Sequence, residues 1–352
     1  KDKNSAAYGA FMGHLCGEAV GAVLEGFNRV PTAEDVENAM LFPGGGIHKL
    51  ASGQITDDGE LAQCLALGLL NSKEGTCDIE EIAKMYKEWM DSKPFDLGGT
   101  ISKGIGCIVY QKFKDLAKEK GYAEAMRTGA MRTLKGNENP SISWEKASNG
   151  SLMRTLPIGL WAHKLPPKDI ASIAAQDSLM SHVIQPNPAL SGAYNIAVAH
   201  LMQNLGDNVG AFEAAYKWAE ENKETRVVQW LDLAKKNHKE KYYPRAGLSK
   251  IAFIHAFRHL YHGTPYIDAI RETCEGGGDT DTNACIIGGL LGAAYGIEAV
   301  PQYWQDSVLN CDYDTVFGQL RPDFLHPKQI PQVAKDLIEK APMKITLVNH
   351  KQ

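Results

Sequence analysis

Two short stretches carry more oxygen donors than folding alone requires. In GGGDTDTNACIIGGLLGAAYG, residues 276–296, Asp279 and Asp281 alternate with Thr280 and Thr282 at the mouth of an apolar, glycine-studded run. In ITDDGELA, Thr56, Asp57 and Asp58 stand just before a second apolar run. Asp and Thr cap helix starts well, and Asp57 and Glu60 have capping-box spacing. One capping residue suffices, however, and adjacent carboxylates repel unless a cation lies between them. Hard oxygen donors in this number suit magnesium, manganese or calcium. Four carboxylates, Asp57, Asp58, Asp279 and Asp281, roughly balance two divalent cations, with Thr56 and Thr282 adding neutral oxygens and Asp281 bridging. Glu25, near the end of a glycine-rich segment, is then free to act as acid or base on a water.

The elements that must hold these acids read as helices. Residues 5–26 form a Gly/Ala-rich helix, tolerable only where packed on all sides. A loop with Pro31, Pro43 and Gly44–Gly46 follows to residue 55. Ile82, Met85, Tyr86 and Trp89 mark one face of a further helix, and Pro94-Phe95-Asp96-Leu97-Gly98 breaks the pattern before the next. Residues 136–143 read as a loop. Ser148-Asn149-Gly150-Ser151 runs into an apolar helix through Trp161, as a phosphate-binding helix start or as a plain cap by Ser148 or Asn149. A helix over 167–179 is ended by Ser181-His182-Val183-Ile184-Gln185-Pro186, and a lone histidine at such a break is commonly structural. Trp218 and Trp230 anchor helices over 187–262, residues 301–319 read as helix, and 321–352 as a peripheral tail. No alternating β pattern, repeat or linker occurs, so the expectation is one all-α domain over residues 1–352, with its core at about 5–320.

Composition agrees. The chain has 352 residues, 44% of them hydrophobic, with a net charge of −5. That charge gives no electrostatic case for nucleic acid, and no apolar run is long enough to suggest a membrane span. The first residues lack a signal-peptide pattern. Seven scattered cysteines without a C-x-x-C pair suggest free thiols in a reducing cytoplasm, not disulfides or zinc.

From Gly13 to about Gly296 the chain resembles the ADP-ribosylglycohydrolase family, which includes dinitrogenase reductase-activating glycohydrolases and ADP-ribosylarginine hydrolases. The motifs GHLCGEAVGAVLEG, ITDDGELA, PFDLGGT, SNGSLMRTLPIGL, SHVIQP and GGGDTDTNACIIGGLLGAAYG occur in the family's order. The resemblance implies an orthogonal all-α bundle with a binuclear magnesium site, for which manganese is a possible substitute. Its ligands fall on Thr56, Asp57, Asp58, Asp279, Asp281 and Thr282, its reactive glutamate on Glu25, and its substrate contacts on Asp96, Ser148, Asn149, Gly150, Ser151 and His182. The implied activity is release of ADP-ribose from a modified protein by a monomeric enzyme. A charged guanidinium leaving group matches a carboxylate, so Asp96 favours arginine linkage. The alternative for Asp96 is a cap on the helix after Gly98. Serine- or O-acetyl-linked ADP-ribose, a silent ADP-ribose-binding or structural homologue, and a phosphatase are the rival readings. Three departures from the family pattern stand out: Glu18 where Asp is usual, Gly59 where Thr often follows the aspartates, and no second histidine after His182.

Overall fold

The computed structural model describes residues 2–134 and 144–348; the loop expected over 136–143 lies outside them. Apart from two short strands, the regular structure of the described residues is helical. In order the helices are α1 (Lys3–Ala22), α2 (Ala33–Ala39), α3 (Asp57–Asn71), α4 (Ile79–Asp91), α5 (Gly99–Lys103), α6 (Gln111–Lys120) and α7 (Tyr122–Ala130). Then follow α8 (Leu156–Trp161), α9 (Pro167–Ser178), α10 (Asn187–Gln203), α11 (Asn208–Glu221) and α12 (Thr225–Lys235). Last come α13 (Ser249–His262), α14 (Tyr266–Gly276), α15 (Thr280–Tyr295), α16 (Gln302–Leu309) and α17 (Ile330–Glu339). None is long and apolar enough to cross a membrane.

Helices α1, α10 and α15 are buried along nearly their whole length, as expected of helices with no polar face. α1 and α15 run antiparallel and touch backbone to backbone. A Cβ on Gly13 would lie 2.5 Å from the Gly288 carbonyl oxygen, one on Gly17 2.5 Å from Ala284 O, and one on Gly21 2.4 Å from Thr280 O. The four-residue spacing puts all three glycines on one ridge. The Thr280 hydroxyl locks the end of this seam by donating to Gly21 O at 2.7 Å. The start of α15, with its acids, is thereby fixed beside the end of α1.

The α4 face expected at Ile82, Met85, Tyr86 and Trp89 is buried, and Trp230 is a core anchor, whereas Trp218 is only half-buried. Other expectations differ from the structure as well. The helix over 5–26 stops at Ala22, so Glu25 stands on the turn beyond it. The loop over 27–55 contains α2, whose capping box uses Thr32 and Asp35 in place of the commoner Glu or Gln. Past Leu309 the expected helix gives way to irregular chain containing Asp312, Asp314 and Gly318, which favour turns.

The C-terminal segment is not peripheral. Leu325, Ile330, Val333, Ala334 and Leu337 are in the core, and α17 packs on α1, α3 and α8. Two short parallel strands, β1 (Thr76–Asp78) and β2 (Thr346–Val348), tie its end to the body. The apolar spacing of α17 was readable, but nothing local shows which face of the bundle it covers.

The α1–α15 contact makes a prediction. Gly17→Ala forces a methyl group into the α15 backbone and should cost about 1–3 kcal/mol. Gly99→Ala, where a Cβ meets nothing within 4 Å, should be neutral or stabilising. Urea unfolding of both variants measures the difference; equal effects would contradict the backbone contact.

Candidate active site

A cleft of about 230 Å³ opens where the starts of α3 and α15, the turn after α1, the loop before α5 and the loop before α8 converge. Its lining includes Glu25, Asp57, Asp58, Asp96, Asp279, Asp281 and Thr282, together with Ser148, Asn149, Gly150 and His182. Neither Lys nor Arg is among the described lining residues.

The aspartates do not cap their helices. Thr56 and Asp279 hold the N-cap positions of α3 and α15, and neither makes a side-chain cap bond. The expected Asp57/Glu60 capping box is absent, since Asp57 already lies inside α3 and Glu60 turns away to pair with Arg321 at 2.9 Å. The carboxylates face one another instead. Asp57, Asp58 and Asp281 each bring an oxygen within 4.8 Å of the others, and so do Glu25, Asp279 and Asp281. Asp281 belongs to both groups, and its Oδ1 is buried with no hydrogen-bond partner. Thr282 Oγ1 donates to Asp58 Oδ2 at 2.6 Å, and Thr56 Oγ1 lies 3.4 Å from both Asp58 and Asp281. Asn149 Nδ2 donates to Asp279 Oδ2 at 2.9 Å.

Burial, followed by the neighbouring carboxylate charge, holds the carboxyls of Asp57 and Asp281 well above their ordinary range. Burial also pushes Asp279 up, and Asp58 to about 6. Such acids ionise together only if cations enter. The donor set is all oxygen, the acids are crowded enough to need charge balance, and the orphaned Asp281 oxygen lacks a donor. The residues present therefore fit hard divalent cations.

Glu18 and Gly59, the two departures at the acid motifs, meet here. Glu18 is fully buried and accepts from Thr56 N at 2.5 Å and Thr56 Oγ1 at 2.7 Å. Its Oε2 occupies the space a side chain at 59 would need, since a Cβ on Gly59 would lie 2.5 Å from it. The longer acid thus fills the space that a side chain at position 59 would take.

On the opposite wall, the loop at Ser148–Ser151 is pinned from behind by Arg154, which sequence reading passed over. Arg154 is fully buried, pairs with Asp177 at 3.2 Å, and donates to Gly150 O at 3.2 Å and Ser181 Oγ at 2.6 Å. A guanidinium only donates, so Ser181 Oγ accepts from it and gives its own proton to His182 Nδ1, 2.7 Å away. That network assigns the His182 proton to Nε2, facing Gly150, where a Cβ would lie 2.8 Å from it. Burial, then the Arg154 charge, keeps His182 neutral by holding its pKa well below the ordinary value. Ser148 Oγ donates to Thr100 Oγ1 at 3.2 Å. Two expectations fail on this wall. Ser151 does not reach the cleft, because it is fully buried and its hydroxyl meets Ser178 behind the loop. Neither Ser148 nor Asn149 caps the next helix, and the Asn149 N–H is already given to Gly247 O.

Asp96 stands at the mouth of the cleft. It does not cap α5, whose N-cap is Gly98 with no side-chain bond. Between Asp96 and Glu25 stands His48, unmarked in the sequence reading, with Nε2 3.1 Å from Glu25 Oε2 and 3.4 Å from Asp96 Oδ2. A lone histidine inside a glycine-flanked loop gives no local signal. Elsewhere His255, His259 and Glu272 also converge. There Arg258 fills the centre, bonded to His255 Nδ1 at 3.0 Å and Glu272 at 2.5 Å, so the protein supplies its own cation. All seven cysteines are buried and free.

The sequence model of a family described as ADP-ribosylglycohydrolase matches residues 1–344. An ADP-ribosyl-[dinitrogen reductase] glycohydrolase of Rhodospirillum rubrum is 28% identical over 299 residues, covering 85% of this chain and 88% of its own. The ADP-ribosylarginine hydrolase Tri1 of Serratia proteamaculans is 24% identical, over 86% of this chain and 75% of its own. The ADP-ribosylhydrolase ARH3 of Mus musculus is 24% identical, over 88% and 89%. Among solved structures, an ADP-ribosylglycohydrolase-related protein complex superposes with a TM-score of 0.65 at 20% identity, over 97% of this chain and 99% of that one.

The Glu18–Gly59 fit is testable by a double-mutant cycle. Gly59→Thr alone should destabilise by about 1–3 kcal/mol through overpacking. Adding Glu18→Asp should return part of that loss, giving a coupling of roughly 0.5–3 kcal/mol. Urea unfolding in chelator reads it, and strictly additive effects would show that the two positions are independent.

Proposed function

We propose that this chain, which belongs to the ADP-ribosylglycohydrolase family, uses two divalent cations, magnesium or manganese, to release ADP-ribose from modified arginine side chains. The observation that carries this reading is the shared acid: Asp281 belongs to both carboxylate groups and presents an unpartnered buried oxygen. Asp57, Asp58 and Asp281 would hold one cation, and Glu25, Asp279 and Asp281 the other, with Thr56 and Thr282 as neutral neighbours. Cations held there would supply the positive charge that orients vicinal ribose hydroxyls and balances the acids.

The chain's own groups do the rest. Glu25, on a turn and part-exposed to the cleft, would face the cation with one lone pair and with another take the proton of the water that attacks the anomeric carbon, passing it to the guanidine that leaves with the electrons of the C–N bond. Positive charge grows on the ribose as the bond to the side chain breaks, and the surrounding carboxylates stabilise it. The volume of the cleft is below the roughly 300–1,000 Å³ of sites that enclose a drug-sized ligand. It therefore takes the ribose end, and the diphosphate lies along the opposite wall. There the neutral His182 offers its Nε2–H, whereas the Ser148 proton is already given to Thr100 Oγ1. Absence of a basic clamp among the described lining residues weighs against a phosphatase.

Arginine is favoured because Asp96 is a half-buried acid at the mouth that spends nothing on capping. It is placed to accept a guanidinium, which an uncharged serine leaving group would not exploit. The relative named for arginine hydrolysis adds weight to this reading.

The test measures release from arginine- and serine-linked ADP-ribose, with magnesium and in excess chelator. The expected parent prefers arginine and is silent in chelator. Asp96→Asn should lower the arginine reaction by roughly 10–100-fold, the worth of a hydrogen bond to a charged group, and leave any serine reaction nearly intact. Full activity in chelator, or release from serine alone, would refute the reading.

A further inference from the structure

We infer that His48 is a positioning residue of this centre: its single Nε2–H joins Glu25 to Asp96, and the C-terminal segment Gln319–Arg321 holds both ends of that tie. The inference rests on the metal reading above. Glu25 and Asp96 come from different loops, and His48 Nε2 is 3.1 Å from one and 3.4 Å from the other. A proton on this nitrogen satisfies both carboxylates, so it donates to them; a cation held by Glu25, His48 and Asp96, whose ligand atoms lie within 4.8 Å of one another, is the competing arrangement that the titration below separates.

The histidine is not loose. It stands on a tight turn closed by paired bonds between Gly45 and Leu50 of 2.7 and 2.9 Å. Its ring packs on Phe95, the neighbour of Asp96, at 5.7 Å. The His48 carbonyl accepts from Gln319 Nε2 at 2.7 Å, and Gln319 is itself paired twice with Gln54. Two residues further on, the buried Arg321 bonds Glu60 of α3, and its NH1 and NH2 reach Ser92 O at 3.0 Å and Ser92 Oγ at 2.7 Å. Gln319 thus sets the height of the His48 turn, and Arg321 sets the base of the Asp96 loop. A partner that fixes a ligand carboxylate typically matters by about 10–100-fold in metal affinity. For Glu25 that effect falls on the Glu25/Asp279/Asp281 group and spares Asp57/Asp58/Asp281.

The experiment is calorimetric titration of the full chain, stripped of metal, with Mn2+, alongside thermal melts. The parent should bind two ions. His48→Ala should weaken one by about 10–100-fold and leave the other. His48→Gln, whose amide N–H can reach the same two oxygens, should regain most of the loss. Gln319→Ala, which touches neither acid, should weaken the same ion to a smaller degree, and it carries the test if His48→Ala fails to fold. Variants that all bind like a two-ion parent would overturn the role of His48 alone. A third ion lost in His48→Ala would make it a ligand and also overturn the inference. A parent that binds no ion would overturn the metal reading and this inference with it.

Discussion

The contact between the backbones of α1 and α15 sets the geometry of everything else. With Gly13, Gly17 and Gly21 on one side and Gly288, Ala284 and Thr280 on the other, no side chain separates the two helices. Such a contact has little freedom to slide, because carbonyl oxygens already sit where a Cβ would go. Glu18 follows Gly17, and Asp281 follows Thr280, so the seam delivers one acid from each helix to the same place. The poor intrinsic helix propensity of so many glycines is offset by burial on all sides.

That placement has an electrostatic cost. Glu18, Glu25, Asp57, Asp58, Asp279 and Asp281 crowd one region, with Glu18, Asp57, Asp58 and Asp281 buried and Glu25 and Asp279 half-buried. The usual outlet, capping the helix starts, is not taken at α3 or α15. Instead, burial and mutual repulsion raise the aspartate pKa values, and an oxygen of Asp281 is left without a donor. The starts of both helices point their dipoles at the acids, which softens the repulsion without removing it. The site thus asks for cations more strongly than any local feature of its helices does.

The residue types in the acid motifs made this centre legible before any coordinates. Threonine and aspartate at two helix starts signalled a gathering of oxygen donors, and the glycine content of α1 signalled tight packing. Capping suits the same residue types, and only the way the side chains face one another sets it aside. Residues whose importance depends on distant partners stayed hidden. His48 joins Glu25 and Asp96 across 23 and 48 positions. Arg154 matters through Asp177, and Arg321 reaches back to Glu60. The C-terminal segment looked peripheral because its strand and its buried arginine acquire meaning only against β1, α3 and the Ser92 loop. Glu18 and Gly59, each an oddity alone, became intelligible as a single fit in space.

The central claim is that one acid, Asp281, is shared between two cations in the cleft. Crystals of the chain grown with Mn2+ and ADP-ribose, measured for anomalous scattering at the manganese edge, address it directly. The account predicts two anomalous peaks, roughly 3.5–4 Å apart as in other two-metal sites, both in contact with Asp281 and with the ribose above them. A single peak away from Asp281, or ADP-ribose bound in the cleft with no peak at all, would contradict it.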